Sequence, residues 1–176
     1  VYEFSDYECP FCAIGEGSSK ILEEFRTQNP NYTPPIPKLF EEYVDEGLVK
    51  FVFYNFPLDQ IHPKARSAHN AAMCANEQDS WKEYNDHLFE NRDSWIENEE
   101  YIDELKSYAS ELSLNENNFN TCLDESRYDS QIDSEINLGI SYGISGTPAF
   151  FINKIFIAGA QDYNTFKYII DSELAK

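Results

Sequence analysis

The sequence predicts an α/β protein in which helices flank a mixed central sheet. Three observations carry this prediction: an apolar β-prone start followed by helical periodicity, a nearly continuous apolar run at 48–56, and two apolar runs that flank Asn153-Lys154. A long helical block separates the second run from the last two. Strand, helix and strand at the front imply a right-handed parallel crossover, whereas the final pair of runs adds antiparallel strands. Together they predict a mixed sheet covered by helices.

The first elements follow from short patterns. Val1–Phe4 is apolar and β-prone, so it is predicted as the first strand. From Pro10 onward apolar residues recur every three and four positions, which predicts a helix that Gly15 and Gly17 weaken or kink. Because proline is favoured in the first turn of a helix, Cys9 is expected at the N-terminal edge of this one.

A proline-rich stretch separates this helix from the second strand. The segment RTQNPNYTPPIP, 26–37, ends in closely spaced prolines and is predicted as a loop. Leu39–Asp45 is predicted as a short amphipathic helix closed by Gly47. The run LVKFVFYNF, 48–56, is apolar on both faces and stops before Pro57, as is typical of a central, often parallel, strand.

The longest stretch of helical periodicity lies at 63–140 and predicts five short helices. We therefore expect one domain built from residues 1–62 and 141–176, with residues 63–140 as an all-α insertion between the second strand and the hairpin. The hairpin itself is predicted from AFFI and IFIAG, which flank the two-residue turn Asn153-Lys154. It is followed by a last helix.

The last helix is predicted to begin after Asp162, which can cap its first turn. Apolar residues three and four positions apart define its expected buried face. These residues are Phe166, Ile169, Ile170 and Leu174.

The composition excludes several classes of function. The chain is 41% hydrophobic, which is enough for a packed core, and it carries a net charge of −19 from 32 acidic and 13 basic residues. Such a charge repels phosphate backbones and anionic membranes, so no nucleic-acid partner is expected. No apolar stretch approaches the ~20 residues that cross a bilayer.

The pair Cys9-Pro-Phe-Cys12 permits three uses: half of a metal site, a structural clip or a redox centre. A zinc site needs four ligands, but Cys74 and Cys122 form no second CxxC, and the three histidines show no HxxxH spacing. The histidines are expected to be surface or packed residues; they are His62, His69 and His87. No metal and no cofactor is expected.

Cysteines across the first turn of a helix suit redox chemistry. Their sulfurs lie on one face, and the helix dipole together with unpaired backbone N–H groups favours a thiolate at Cys9. A stable thiolate is a good leaving group, so a Cys9–Cys12 disulfide would be an oxidant. A purely structural disulfide closing so short a loop would gain little chain entropy, yet it stays an alternative.

Two further features bear on a redox centre. The Thr147-Pro148 peptide bond, if cis, would place a backbone edge beside the cysteines, although a trans turn is the commoner fate of a proline. Glu3 lies six residues before Cys9 in the first strand. It either points to solvent or is buried with a raised pKa, from where it can relay a proton to Cys12.

Four stretches of the chain resemble, in order, the bacterial and archaeal DsbA-like thiol:disulfide oxidoreductases. They are EFSDYECPFC, FVFYNFPL with IHPKA after it, AAMCANEQDSWKEYNDHLF, and GISGTPAFFIN with IFIAGAQ. The resemblance covers nearly the whole chain. It implies a thioredoxin fold with a helical insertion.

The resemblance also implies roles for single residues. Cys9 becomes the attacking, surface-facing cysteine and Cys12 the buried resolving one. Pro148 becomes a cis-proline opposite them, and Thr147 the residue whose backbone pairs with the substrate peptide. Glu3 falls where thioredoxin folds keep a buried acid.

The chain departs from the family at the motif and beyond it. Well-known members have histidine where this chain has Phe11 after Pro10, so the site is expected to be a milder oxidant. Relatives often have Arg-Asp in place of Tyr54-Asn55, which leaves Glu3 without an evident basic partner. Tyr7 and Phe11 are expected either to form an exposed apolar patch for unfolded peptide or to pack in the interior.

Cys74 and Cys122 lie on predicted helices of the insertion. They are either two small buried apolar residues or, as in some DsbA-like relatives, partners in a structural disulfide. No catalytic role is expected for them. An even number of cysteines suits an oxidising compartment.

We therefore expect an extracytoplasmic, monomeric oxidoreductase that introduces disulfides into unfolded or reduced exported polypeptides. A membrane redox partner would reoxidise it, and any signal or anchor segment would lie outside this chain. The alternatives are a reductase or disulfide isomerase on the same fold, and a non-catalytic module whose CxxC binds metal or clips the loop.

Overall fold

The computed structural model describes the backbone of residues 1–176 and their side chains other than that of residue 19. The described residues form two compact units. The first contains Val1–Ser5, Cys9–Tyr54 and Gly143–Lys176, and the second contains Asp6–Glu8 and Asn55–Tyr142.

Strands occur near both ends of the chain, and six consecutive helices follow β2. In chain order they are β1 (Tyr2–Ser5), α1 (Pro10–Glu16), α2 (Ser19–Gln28), α3 (Pro35–Leu39) with a π-helical turn at Phe40–Val44, β2 (Val52–Asn55), α4 (Ala65–Asn76), α5 (Trp81–Glu90), α6 (Arg92–Glu97), α7 (Tyr101–Glu111), α8 (Glu116–Asp124), α9 (Asp129–Ser141), β3 (Ala149–Ile152), β4 (Ile155–Ala158) and α10 (Tyr163–Leu174). None of these helices is both long and apolar enough to span a bilayer, among the residues whose structure is described.

The sheet has the order β2-β1-β3-β4. The pairs β1–β3 and β3–β4 are antiparallel, and Glu3 lies opposite Phe150. The Val1 nitrogen donates to the Lys50 carbonyl at 2.7 Å, and the Val52 N–H donates to the Val1 carbonyl at 2.9 Å. Val1 thus bonds to Lys50 and Val52, the residues on either side of Phe51, which is the pattern of two parallel strands. The predicted mixed sheet is therefore confirmed.

The core of the first unit lies between α3, α10 and one face of the hairpin. Phe150, Ile157 and Phe166 are buried in it, and Phe150 and Phe166 meet edge to face with ring centroids 4.9 Å apart. The Asp162 side chain accepts a hydrogen bond from the Asn164 N–H and caps α10 as predicted.

Three predictions about the first unit need correction. Leu174 is 50% exposed because it is the last residue of α10, so the buried face ends before it. The helix predicted from Pro10 is split in two, since Gly17 takes a left-handed φ of +85° and ends α1. The predicted loop at 26–37 also contains the start of α3, because Pro35 suits a first helical turn.

The described part of the second unit contains six helices rather than the five predicted. The additional one is α6, whose six residues are too few to show a repeating apolar pattern. Its anchor is Trp95, which is fully buried and donates its indole N–H to the Leu88 carbonyl at 3.0 Å. A disulfide between Cys74 and Cys122 joins α4 to α8, with 5.8 Å between the Cα atoms.

Candidate active site

Cys9 and Cys12 lie at the start of α1. Cys9 is the residue that precedes the helix, with φ −71° and ψ 124°, and its carbonyl accepts the Ala13 N–H at 3.2 Å. Pro10 occupies the first turn, where a missing N–H is tolerated. Both cysteines are thiols rather than a disulfide.

The two thiols are less accessible than the resemblance implies. Cys12 is fully buried, as expected of a resolving cysteine, but Cys9 is only 4% exposed rather than surface-facing. The reason is the segment before β3, since the Cys9 sulfur lies 3.5 Å from the Thr147 carbonyl oxygen. Phe11, between the cysteines, is 53% exposed and presents its ring to solvent.

The Thr147-Pro148 peptide bond is cis. Pro148 is buried, and its carbonyl accepts the Gly159 N–H at 2.8 Å, which ties it to the end of β4. The sheet thus holds the Thr147 backbone against the Cys9 sulfur. The Thr147 hydroxyl is also buried.

The surroundings of Cys9 favour its thiolate. They lower the pKa of Cys9 to about 6, first through a hydrogen bond from the Cys12 thiol, and further through the Thr147 side chain and the backbone N–H groups of Phe11 and Cys12. Burial acts in the opposite direction but does not prevail. At neutral pH Cys9 is therefore mainly ionised.

The surroundings of Cys12 have the opposite effect. Burial raises the pKa of Cys12 well above the ordinary thiol value, and the hydrogen bond to Cys9 and the negative charges of Cys9 and Glu3 raise it further. The Ser5 hydroxyl offsets this only in part. Two cysteines separated by two residues thus differ sharply in acidity.

Glu3 is buried, which resolves the two alternatives left open by the sequence. It is 1% exposed, and its Oε2 atom has no hydrogen-bond partner. Burial raises the pKa of Glu3 to about 8. Since Glu3 also acts electrostatically on Cys12, a carboxyl group whose pKa is raised to about 8 lies near the Cys12 thiol.

The residues between β1 and Cys9 were missed as site residues. Asp6 is fully buried and accepts N–H bonds from Glu8 at 2.8 Å and from Leu58 at 2.7 Å. Its Oδ2 atom also lies 2.8 Å from His62 Nδ1. The available signal was the presence of two carboxylates, Asp6 and Glu8, directly before the cysteine motif.

Tyr7 does not contribute to an exposed patch. It is fully buried, donates its hydroxyl to Asn85 Oδ1 at 3.1 Å and packs its ring on His69 with centroids 4.6 Å apart. Phe11 remains exposed, so only one of these two aromatic residues can meet a peptide. The reason is that Tyr7 belongs to the second unit, whose helices surround it.

The three histidines have separate partners. His69 is fully buried, with Nδ1 at 2.7 Å from Asn55 Oδ1, and burial followed by the charge of Arg66 lowers its pKa to about 3. His87 Nε2 lies 3.1 Å from Glu111 Oε2. Across residues 1–176 as described, no group of three histidine, cysteine or acidic side chains is arranged to hold a metal ion.

Comparison with known proteins identifies the family. The thioredoxin family model matches residues 30–172, a span that includes Thr147 and Pro148. Disulfide bond formation protein D of Bacillus subtilis is 25% identical over 99% of this chain and 72% of its own length. Na(+)/H(+) antiporter NhaA 3 of Salinispora tropica is 30% identical over 87% of this chain, which spans only 20% of that protein.

Solved structures share the fold over almost the entire chain. Wolbachia pipientis alpha-DsbA1 has a TM-score of 0.77 at 23% identity, covering 99% of this chain and 84% of its own. Oxidised BdbD from Bacillus subtilis has a TM-score of 0.76 at 24% identity, covering 99% and 86%. The family model covers more than half of the chain, so the chain belongs to the thioredoxin family, and the solved structures show that it has the fold of alpha-DsbA1 and BdbD.

Proposed function

We propose that this protein introduces disulfides into reduced, exported polypeptides outside the cytoplasm, by exchange through the Cys9–Cys12 pair. The observation that carries the proposal is the unequal acidity of the two thiols, since the pKa of Cys9 is lowered to about 6 and that of Cys12 is raised. Stabilising the Cys9 thiolate stabilises the reduced form, which makes the disulfide form a stronger oxidant.

The reaction consists of two exchanges. A substrate thiolate attacks the Cys9 sulfur of the Cys9–Cys12 disulfide, the S–S bond breaks, and Cys12 leaves as a thiolate that takes up a proton. A second substrate thiolate then attacks the substrate sulfur of the mixed disulfide and expels the Cys9 thiolate. The substrate loses two electrons and the protein gains them as two reduced cysteines, so the cysteines alone carry the redox change.

Glu3 can supply the proton that Cys12 needs. Its carboxyl group is buried beside Cys12, and its pKa of about 8 keeps it mainly protonated at neutral pH. When Cys12 leaves, Glu3 donates a proton toward the new thiolate, and during reoxidation it accepts one back. Glu3 thus relays a proton to and from the buried Cys12 thiol.

Substrate binding relies on the segment beside Cys9. The Thr147 backbone offers main-chain hydrogen bonds to an extended peptide, and the exposed Phe11 ring offers an apolar contact next to the motif. Neither contact reads a particular side chain, which suits a protein that acts on many unfolded substrates.

Location and partners belong to the same proposal. The Cys74–Cys122 disulfide suits an oxidising compartment, and a reduced Cys9–Cys12 pair needs an electron acceptor, which we assign to a membrane redox partner. The protein is proposed to act as a monomer.

The reduction potential of the Cys9–Cys12 pair tests the proposal. We would equilibrate the protein with mixtures of reduced and oxidised glutathione and quantify the dithiol form by alkylation. An oxidase requires a value nearer to about −120 mV, whereas a value near about −270 mV would indicate a reductase and overturn the proposed direction. Refolding of a reduced substrate protein, with the insulin reduction assay beside it, checks the same point kinetically.

A further inference from the structure

Two of the three residues before Cys9 accept hydrogen bonds from residues of the second unit. Asp6–Glu8 belongs to the second unit, between Ser5 and Cys9 of the first. The Asp6 carboxylate accepts the Leu58 N–H at 2.7 Å, and the Glu8 carboxylate accepts the Lys64 N–H at 2.9 Å. The chain is therefore anchored immediately before the residue that carries out the exchange.

The last of these anchors is Arg92, at the start of α6. Its Nε donates to the Glu8 carbonyl oxygen at 3.0 Å, and its Nη2 donates to the same oxygen. Its Nη1 is paired with Asp93 at 2.9 Å, and the side chain is 15% exposed. A guanidinium thus places two N–H donors on the carbonyl of the peptide bond that leads into Cys9.

This contact constrains the backbone of Cys9. The Glu8–Cys9 peptide is planar, so holding its oxygen also holds the Cys9 nitrogen. On the other side, the Cys9 carbonyl is held by the Ala13 N–H at 3.2 Å. With both neighbouring peptide planes held, the direction of the Cys9 side chain from its Cα is set.

The contact also has an electrostatic component. A carbonyl oxygen is the negative end of a peptide dipole, and an oxygen that turned toward the Cys9 sulfur would destabilise its thiolate. Arg92 keeps the Glu8 oxygen directed toward a cation in the second unit and offsets its partial charge.

We propose that Arg92 is a positioning residue of the redox motif, which fixes the Glu8–Cys9 peptide bond and so keeps the Cys9 sulfur in its place beside Thr147. This inference rests on the proposed function, because it concerns the same pair of cysteines. It gives the second unit a role in setting the acidity of Cys9, through a residue 84 positions along the chain from Glu8.

The test compares Arg92→Gln with Arg127→Gln. Arg127 lies in the same unit and pairs with Glu77 at 2.9 Å, so its replacement removes the same charge without touching Glu8. For Arg92→Gln we expect a higher Cys9 pKa, measured by thiolate absorbance at 240 nm. The equilibrium constant for reduction by glutathione should fall roughly tenfold, which is about 30 mV. Arg127→Gln should match the unchanged protein in both measurements.

Arg92→Lys keeps the charge but cannot donate the paired N–H bonds of a guanidinium. We expect it to shift the glutathione equilibrium in the same direction by a smaller factor, while the unfolding midpoint stays near that of the unchanged protein. If Arg92→Gln does not fold, the Cys9 pKa and the glutathione equilibrium of Arg92→Lys test the proposal instead. Wild-type values of the Cys9 pKa and of the equilibrium in Arg92→Lys would overturn the proposal, as would equal shifts in Arg92→Gln and Arg127→Gln.

These readouts are differences between variants of one chain. They separate this inference from the proposed function, whose failure would appear as a reducing potential in the unchanged protein. A reducing wild-type potential combined with a further fall in Arg92→Gln would reject the oxidase and retain the positioning role.

Discussion

The two cysteine pairs of this protein show how surroundings determine what the same residue does. Cys74 and Cys122 are 48 residues apart, lie on two packed helices and form a buried disulfide. Cys9 precedes α1 and Cys12 lies in its first turn, and the two are thiols of unequal acidity. Closing a long loop constrains the unfolded chain strongly, whereas closing a short one constrains it little.

The difference is one of electrostatics as much as of loop length. Cys9 meets hydrogen-bond donors that favour its thiolate, and Cys12 meets burial and negative charge that oppose one. An easily expelled thiolate makes a reactive disulfide. We therefore propose that the first pair carries out exchange and that the second stabilises the fold.

Replacing Cys9 should have the largest effect, which is loss of disulfide exchange with substrate. Cys9→Ser removes the sulfur that substrate attacks, so oxidative refolding of a reduced substrate should fall to the rate without protein. The matched control is the double variant Cys74→Ala/Cys122→Ala, which should keep its rate. Loss of exchange in the control with an intact fold would show that the second pair takes part in catalysis.

Removing the second disulfide should act on stability instead. For a separation of 48 residues, the chain-entropy model gives about 4 kcal/mol of unfolding free energy for the Cys74–Cys122 bond. Denaturant unfolding of Cys74→Ala/Cys122→Ala should show a loss of that order. A change below about 1 kcal/mol would mean that the unfolded chain gains little freedom when this bond is absent.

Replacing Glu3 should separate the proton relay from the thiols. Glu3→Gln keeps the shape of the side chain but cannot exchange a proton, so the steps that protonate or deprotonate Cys12 should slow by about tenfold or more at neutral pH. Stopped-flow measurement of mixed-disulfide formation, the exchange in which Cys12 leaves, follows this step. An unchanged rate would exclude Glu3 from the relay.

Glu3→Gln should also change how the stability of the protein depends on pH. The folded-state pKa of Glu3 is raised to about 8, above its ordinary value, so the folded protein holds a proton that the unfolded chain releases. Its contribution to stability is complete below the unfolded pKa of about 4.3 and is lost as the pH rises through about 8. Urea unfolding at several pH values should show this fall in the unchanged protein and a smaller one in Glu3→Gln.

Thr147→Val should have the smallest effect. The Thr147 hydroxyl is buried, and the Thr147 side chain favours the Cys9 thiolate through a hydrogen bond. Its removal should raise the pKa of Cys9 by roughly one unit, the size of one hydrogen bond to a charged group. Titration of thiolate absorbance measures this shift, and a pKa that does not move would assign the low value to Cys12 and the backbone alone.

Features that depend on neighbouring residues could be predicted from the sequence. Pro10 in a first helical turn, the turn at Asn153-Lys154 and the cap at Asp162 have local requirements that particular residue types satisfy. The mixed sheet followed from the order of the elements. The apolar run that includes β2 predicted a central strand, and this was wrong because β2 lies at an edge of the sheet β2-β1-β3-β4.

Features that depend on packing between distant parts of the chain could not be predicted from the sequence. Arg92 contacts Glu8 across 84 positions, and no periodic pattern connects them. Tyr7 is buried among helices of the second unit, although its position beside the motif suggested exposure as readily as burial. The burial of Glu3 was undecided for the same reason, because alternation along a strand shows which residues share a face but not which face is covered.

The acidity of Cys9 tests the central claim most directly. Reduced protein would be titrated while the absorbance of thiolate at 240 nm is followed, with Cys9→Ser as the reference that isolates the contribution of Cys9. Our account predicts one thiol that titrates near pH 6 in the unchanged protein and is absent from Cys9→Ser, with Cys12 titrating well above the ordinary thiol value. Two thiols that both titrate near the ordinary value of about 8.5 would contradict it.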